Sequence, residues 1–144
     1  MKALGVPEGL YAYLEEAMAA KAIYTEGMGH KSPIPAAKLI GNVLASGLIT
    51  GTDPATNDIP DSLEEQSRHM FAQIRQLMET AGGSTDDILQ IRIWLNDRKD
   101  RTVFADAWLE MFPDPATRPA RMTLNRELGG KKKIECELLA VIGS

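Results

Sequence analysis

A chain of 144 residues can bury one hydrophobic core and rarely two. Its 44% hydrophobic and 25% charged residues exclude a disordered segment, and a net charge of −4 leaves no basic surface for nucleic-acid phosphates. The lone Cys136 excludes an intrachain disulfide and points to a reducing, cytoplasmic setting, while the absence of a long apolar run predicts neither signal peptide nor membrane span.

From Pro7 to about Lys21, Leu10, Leu14, Ala17 and Met18 recur at helical spacing, and Pro7 suits a first helical turn. Ala22 to Thr25 is expected to open a strand, which Gly27, Gly29, Ser32, Pro33 and Pro35 then break. Leu39 to Ile49 reads as a strand or hairpin interrupted at Gly41-Asn42 and Gly47, followed by a polar loop over Thr50 to Pro60. Ser62 and Glu65 have capping-box spacing, and Leu63, Met70, Ile74, Leu77 and Met78 make the apolar stripe of a helix that ends at Gly82-Gly83.

Ile88 to Leu95 alternates as a strand, with Ile91, Ile93 and Leu95 on one face. A second helix, capped by Asp100 or Thr102, would place Val103, Phe104, Ala107, Trp108, Met111 and Phe112 on its apolar side before Pro113 stops it. Ala120 to Leu128 is a predicted strand with Arg121, Thr123 and Asn125 to one side. Gly129-Gly130 and Lys131 to Lys133 then read as a solvated hairpin into a last strand over Lys133 to Ile142. There Ile134, Cys136, Leu138, Ala140 and Ile142 face one way, and Glu135 and Glu137 the other. The alternation makes Cys136 a buried, inert thiol. Two helices covering one face of a mixed sheet give a two-layer α+β fold: a helical extension over residues 1–21 and a core over 22–144, in one domain. The second sheet face is not uniformly polar, as a face used for assembly would be.

Residue types alone leave the chemistry open. Arg121 reads as a surface arginine paired with a carboxylate such as Glu135, or as a planar guanidinium gripping a substrate carboxylate. Glu135 is an exposed strand glutamate or a group that orients a water. Ser46 either bonds a ligand or closes a backbone turn, and nothing beside it would activate a nucleophile. His30 and His69 are isolated, so no metal site is expected, and Gly27, Gly29, Gly82 and Gly83 lack the context of a phosphate-binding loop.

Several segments in order resemble one family. Gly41-Asn42-Val43-Leu44-Ala45-Ser46-Gly47, Asp53-Pro54-Ala55-Thr56 and Glu65-Gln66-Ser67-Arg68 are followed by Ala81-Gly82-Gly83-Ser84 with Asp87-Ile88. Phe104, Trp108 and Phe112 then lead to Pro119-Ala120-Arg121 and Ile134-Glu135-Cys136-Glu137. This series is similar to the reactive-intermediate deaminases (Rid, or YjgF-like proteins, many labelled L-PSP endoribonucleases). The resemblance implies a chorismate-mutase-like fold and a homotrimer with clefts between neighbouring subunits. It also implies cofactor-independent hydrolysis of carboxylate-bearing enamines and imines to keto acids and ammonia; the acidic charge and the lack of an apolar span, not the resemblance, predict no nucleic-acid or membrane partner.

On that resemblance Arg121 would anchor the carboxylate, Glu135 would direct water, and Ser46, Thr123 and Ile34 would line the cleft. Ile34 stands where relatives usually have Tyr, Ala105 where many have Asn, and about one residue is missing between Arg121 and Glu135. These losses of polar groups also admit a non-catalytic, ligand-binding trimer. A ribonuclease reading finds no support in an acidic chain without a His pair.

Overall fold

The computed structural model describes residues 5–25 and 33–143. Gly27, Gly29, His30 and Ser32 lie outside them. In chain order the elements are α1 (Glu8–Ala17), β1 (Ala20–Ile23), β2 (Ala37–Ile40), β3 (Val43–Ser46), β4 (Ile49–Thr50), α2 (Leu63–Thr80), β5 (Ile88–Leu95), α3 (Ala105–Met111), β6 (Ala120–Asn125) and β7 (Ile134–Val141). Short 3-10 helices at Thr85–Asp87 and Arg98–Phe104 precede β5 and α3. The fold is the two-layer α+β arrangement expected, with α2 and α3 over one face of a mixed sheet.

The strands run β1-β2-β3-β7-β5-β6, with short β4 also pairing β7. Every pairing is antiparallel except β5 with β6, whose parallel register sets Ile91 beside Arg121 and Ile93 beside Thr123. Parallel neighbours need a crossover, and α3 supplies it. Consequently β6 lies at the sheet edge, and the chain must step back across the end of β5 to reach β7. The hairpin expected at Lys131 to Lys133 is therefore not formed, because β5 separates β6 from β7.

Helix α2 begins where its sequence predicts, with one half of the capping box formed: Ser62 Oγ accepts from the Glu65 amide at 3.1 Å, satisfying a first-turn donor, and the return bond from Glu65 is absent. Its stripe of Met70, Ile74, Leu77 and Met78 is buried against Ile91, Ile93, Leu95, Cys136 and Leu138, each fully buried aliphatic side chain contributing ~1.5–3 kcal/mol. Gly82, at φ 86°, terminates the helix in the left-handed region.

Three boundaries differ from expectation. Helix α1 stops at Ala17, and Ala20 and Lys21 already belong to β1. The second helix is capped neither by Asp100 nor by Thr102. Asp97 accepts from the Lys99 amide at 2.9 Å and Asn125 Oδ1 from the Arg98 amide at 2.6 Å, so the chain turns earlier, in 3-10 geometry. Three residues per turn, in place of 3.6, rotate Val103 out to solvent while Phe104 stays buried. Strand β6 ends at Asn125 rather than Leu128, because Asn96 Oδ1 takes the Leu128 amide at 2.8 Å and bends the chain over the sheet end.

Candidate functional site

Arg121 stands on edge strand β6, on the helix-covered side, because its register partner Ile91 points into the core. Its guanidinium carbon lies 4.5 Å from the Trp108 ring centroid and 5.2 Å from that of Phe104. The rings fix the cation through their quadrupoles without consuming its donors. Partial burial, and then the like charge of Arg101, lower the guanidinium's proton affinity below its usual value, so an arriving anion would relieve both effects. Among the described residues no carboxylate is paired with Arg121. Thr123 follows it on the same face, half-buried beside Ile93.

Glu135 occupies the opposite side of the sheet, between Thr50 of β4 and Trp94 of β5. It is only 2% exposed, so it is not the solvated strand glutamate that alternation also allowed. Arg126 donates to its Oε1, and the Arg126 guanidinium stacks 4.1 Å from the Trp94 centroid. Lys132 Nζ lies 3.8 Å from Oε2, which is buried without a hydrogen-bond partner. Farther along the same face Arg92 bonds Glu137 at 2.6 Å, beside a shallow depression of about 120 Å³ bordered by Ser46.

Ser46 has a clear structural task. Its hydroxyl accepts from the Leu138 amide and donates to the Gly47 carbonyl, both at 2.8 Å. It thus satisfies the β7 amide left over where the chain switches from β3 to β4. Ile34 is exposed in the segment leading to β2.

Of the residues expected to share a cleft, one chain brings together only Arg121 and Thr123. Glu135 is two strands from Arg121 and on the other face, and Ser46 and Ile34 lie farther across the sheet. A site holding both Arg121 and Glu135 requires two copies.

Sequence reasoning missed Trp94, Arg92 and Arg126. For Trp94 and Arg92 the signal was the phase opposite to Ile91, Ile93 and Leu95, an aromatic and a cation at alternate positions on a strand whose other face is core; Arg126, just past the end of β6, gave none. It also filed Phe104 and Trp108 as core alone, although their rings are the platform for Arg121.

A family model described as Endoribonuclease L-PSP matches residues 15–142. A RutC family protein of Aquifex aeolicus is 28% identical over 118 residues, covering 77% of this chain and 94% of its own. Protein mmf2, mitochondrial, of Schizosaccharomyces pombe is 31% identical over 107 residues, covering 70% and 82%. The crystal structure of the Rid-family protein YyfA from Yersinia pestis superimposes with a TM-score of 0.78 at 22% identity, covering 86% of this chain and all of its own. With sheet order, helix placement and sequence match in agreement, this is a protein of the YjgF-like fold. It belongs to the endoribonuclease L-PSP family, the Rid or YjgF-like proteins. Among the described residues, no helix is long and apolar enough to cross a membrane.

Proposed function

We propose that this protein is a cofactor-independent hydrolase of carboxylate-bearing enamines and imines, acting where β6 of one copy meets the open sheet face of the next in a homotrimer. The observation that carries the reading is Arg121. It is a cation held on Trp108 and Phe104, with its fork of donors uncommitted to any carboxylate of the described chain. A planar guanidinium matches a carboxylate bidentately, a contact worth about 1.5–3 kcal/mol or roughly 10- to 150-fold in affinity. Assembly is supported by the apolar side chains exposed on the uncovered face, Met122, Leu124 and Leu139 among them.

In this arrangement the imine carboxylate sits on Arg121 and the neighbour's Glu135 receives a proton from water. The water oxygen bonds to the imine carbon while the C=N π pair takes a proton, giving a carbinolamine. Collapse of that adduct forms the keto C=O, breaks the C–N bond and releases ammonia. Thr123, the neighbour's Ser46 and its Ile34 line the cleft. A single cysteine, buried at Cys136, fits a reducing compartment such as the cytoplasm.

Imines generated in situ by an amino-acid oxidase provide the test, with ammonia and keto-acid release followed for the wild-type protein and Arg121→Ala. Acceleration by the wild type that is lost in the variant supports the reading. No acceleration with any imine from a folded trimer removes it in favour of a ligand-binding trimer, which the covering of Glu135 by Arg126 and Lys132 favours.

A further inference from the structure

The 3-10 helix Arg98–Phe104 is fastened to edge strand β6 at both ends. At its start the Arg98 amide donates to Asn125 Oδ1 at 2.6 Å, and at its end the Phe104 ring stands 5.2 Å from the Arg121 guanidinium. The six residue steps of the helix, at about 2.0 Å each, nearly match the four strand steps from Asn125 back to Arg121, at about 3.3 Å each. The helix therefore runs back along β6. Arg101, at its midpoint, falls level with Thr123, on the side of the sheet where Arg121 lies.

Arg101 is exposed, and its Nη1 turns back to the Arg98 carbonyl at 3.2 Å. Among the described residues it forms no ion pair, and neither does Arg121. Asp97 and Asp100, the acidic residues of the same turn, pair with neither, and Asp97 is engaged in capping the Lys99 amide at 2.9 Å. The Thr123 hydroxyl bonds no group of the described chain. Two guanidinia and a hydroxyl thus share one edge, with no carboxylate of the described chain between them. The closeness is felt in the charge: burial first, and then Arg101, lower Arg121 below the usual arginine range. Like charges held side by side cost free energy, which a ligand carrying two negative charges offsets.

We infer that Arg101 sets the substrate class: with Arg121 it forms a two-guanidinium edge that selects imines bearing a second carboxylate, those formed from acidic amino acids. The inference rests on the proposed function and deepens it at the same site. Arg121 takes the carboxylate next to the imine carbon, Thr123 donates its hydroxyl, and Arg101 meets the carboxylate at the far end of the substrate side chain. Its exposed stem lets Arg101 give up the Arg98 carbonyl for the stronger, charge-assisted bond. A neutral side chain of equal length gains nothing from Arg101, so the preference resides in charge.

The assembled protein would be offered the imines of glutamate and methionine, similar in length and unlike in charge, each generated in situ by an amino-acid oxidase. Wild type should show a kcat/KM for the glutamate imine about 10-fold above that for the methionine imine, the low end for a charge-assisted contact. Arg101→Gln, a change at an exposed side chain, should bring that ratio toward one. Arg101→Lys should keep part of it, and added salt should erode it. A wild-type ratio at or below one, or a ratio that survives Arg101→Gln, overturns the inference. Calorimetric binding of glutarate and of butyrate separates this result from the functional reading. Glutarate should bind more tightly, and the difference should vanish in Arg101→Gln. Should wild type hydrolyse no imine, the functional reading fails while calorimetry still decides the role of Arg101, equal affinities for the two acids overturning it.

Discussion

Gln66 is a fully buried polar side chain one turn into α2, and replacing it with leucine should be felt far from the helix. Its amide nitrogen gives to the Pro60 carbonyl at 2.7 Å and the Lys131 carbonyl at 2.9 Å, and its oxygen accepts from the Lys133 amide at 2.9 Å. Leucine fills similar space and leaves all three backbone groups unmatched. A deserted buried partner costs ~1–3 kcal/mol, and because two of these groups belong to exposed residues that water can reach, the low end applies, ~3 kcal/mol in sum. At this chain length that is a fall of about 10 °C in Tm. The loss should appear in urea or thermal unfolding at a fixed protein concentration. It should be accompanied by faster hydrogen exchange at the Lys133 amide, since the segment between β6 and β7 is released there. A Gln66→Leu protein within 1 kcal/mol of wild type, with Lys133 exchange unchanged, would refute the reasoning that this one side chain anchors the segment between β6 and β7.

Ser46→Ala should cost about 1–2 kcal/mol of stability, because the Leu138 amide loses its acceptor. It should also lower imine turnover less than Arg121→Ala does; equal losses would make Ser46 mainly a site residue. Gly51→Ala should be destabilising by ~1–3 kcal/mol or more, since a Cβ there would come within 2.4 Å of the Gln66 carbonyl oxygen, measurable as a lower urea midpoint. Cys136 should resist alkylation in the native protein and react at the global unfolding rate, as read by mass spectrometry. Burial, then Glu135 and Glu137, push its thiol well above the ordinary 9.0, so the unfolded chain ionises first. Stability should accordingly decline as pH rises past that ordinary value, and Cys136→Ser should weaken the alkaline slope.

Periodicity was enough to place α2, β5 and β7, because each has one face in the core and the other out of it. The alternation Ile134, Cys136, Leu138, Ala140 in particular maps directly onto the helix-covered face. The order of the strands was not readable. Whether β6 pairs β7 or β5 depends on a parallel crossover through α3, and Gly129-Gly130 looks like hairpin chemistry in either case. The second helix misled for a local reason, Asp97 and Asn125 together initiating a 3-10 turn before the residues that looked like caps. The site was legible as residue types and obscured as geometry. Arg121 and Glu135 have suitable chemistry, yet a strand's register gives no warning that they lie on opposite faces of one chain. Trp94 and Arg126, which frame Glu135, were hidden, Trp94 because an aromatic in a buried strand reads as core and Arg126 because it lies past the end of β6.

The central claim, that the chemistry needs Arg121 of one copy and Glu135 of another, is tested most directly by subunit mixing. Arg121→Ala and Glu135→Gln proteins would each be purified, assayed for imine hydrolysis, then dissociated, combined in equal amounts and reassembled. Separately each should be inactive. In a ring of head-to-tail interfaces, random exchange leaves about a quarter of the sites with both residues intact, so activity should return to about a quarter of wild type. A mixture as inactive as its parents, despite verified exchange, would contradict the account.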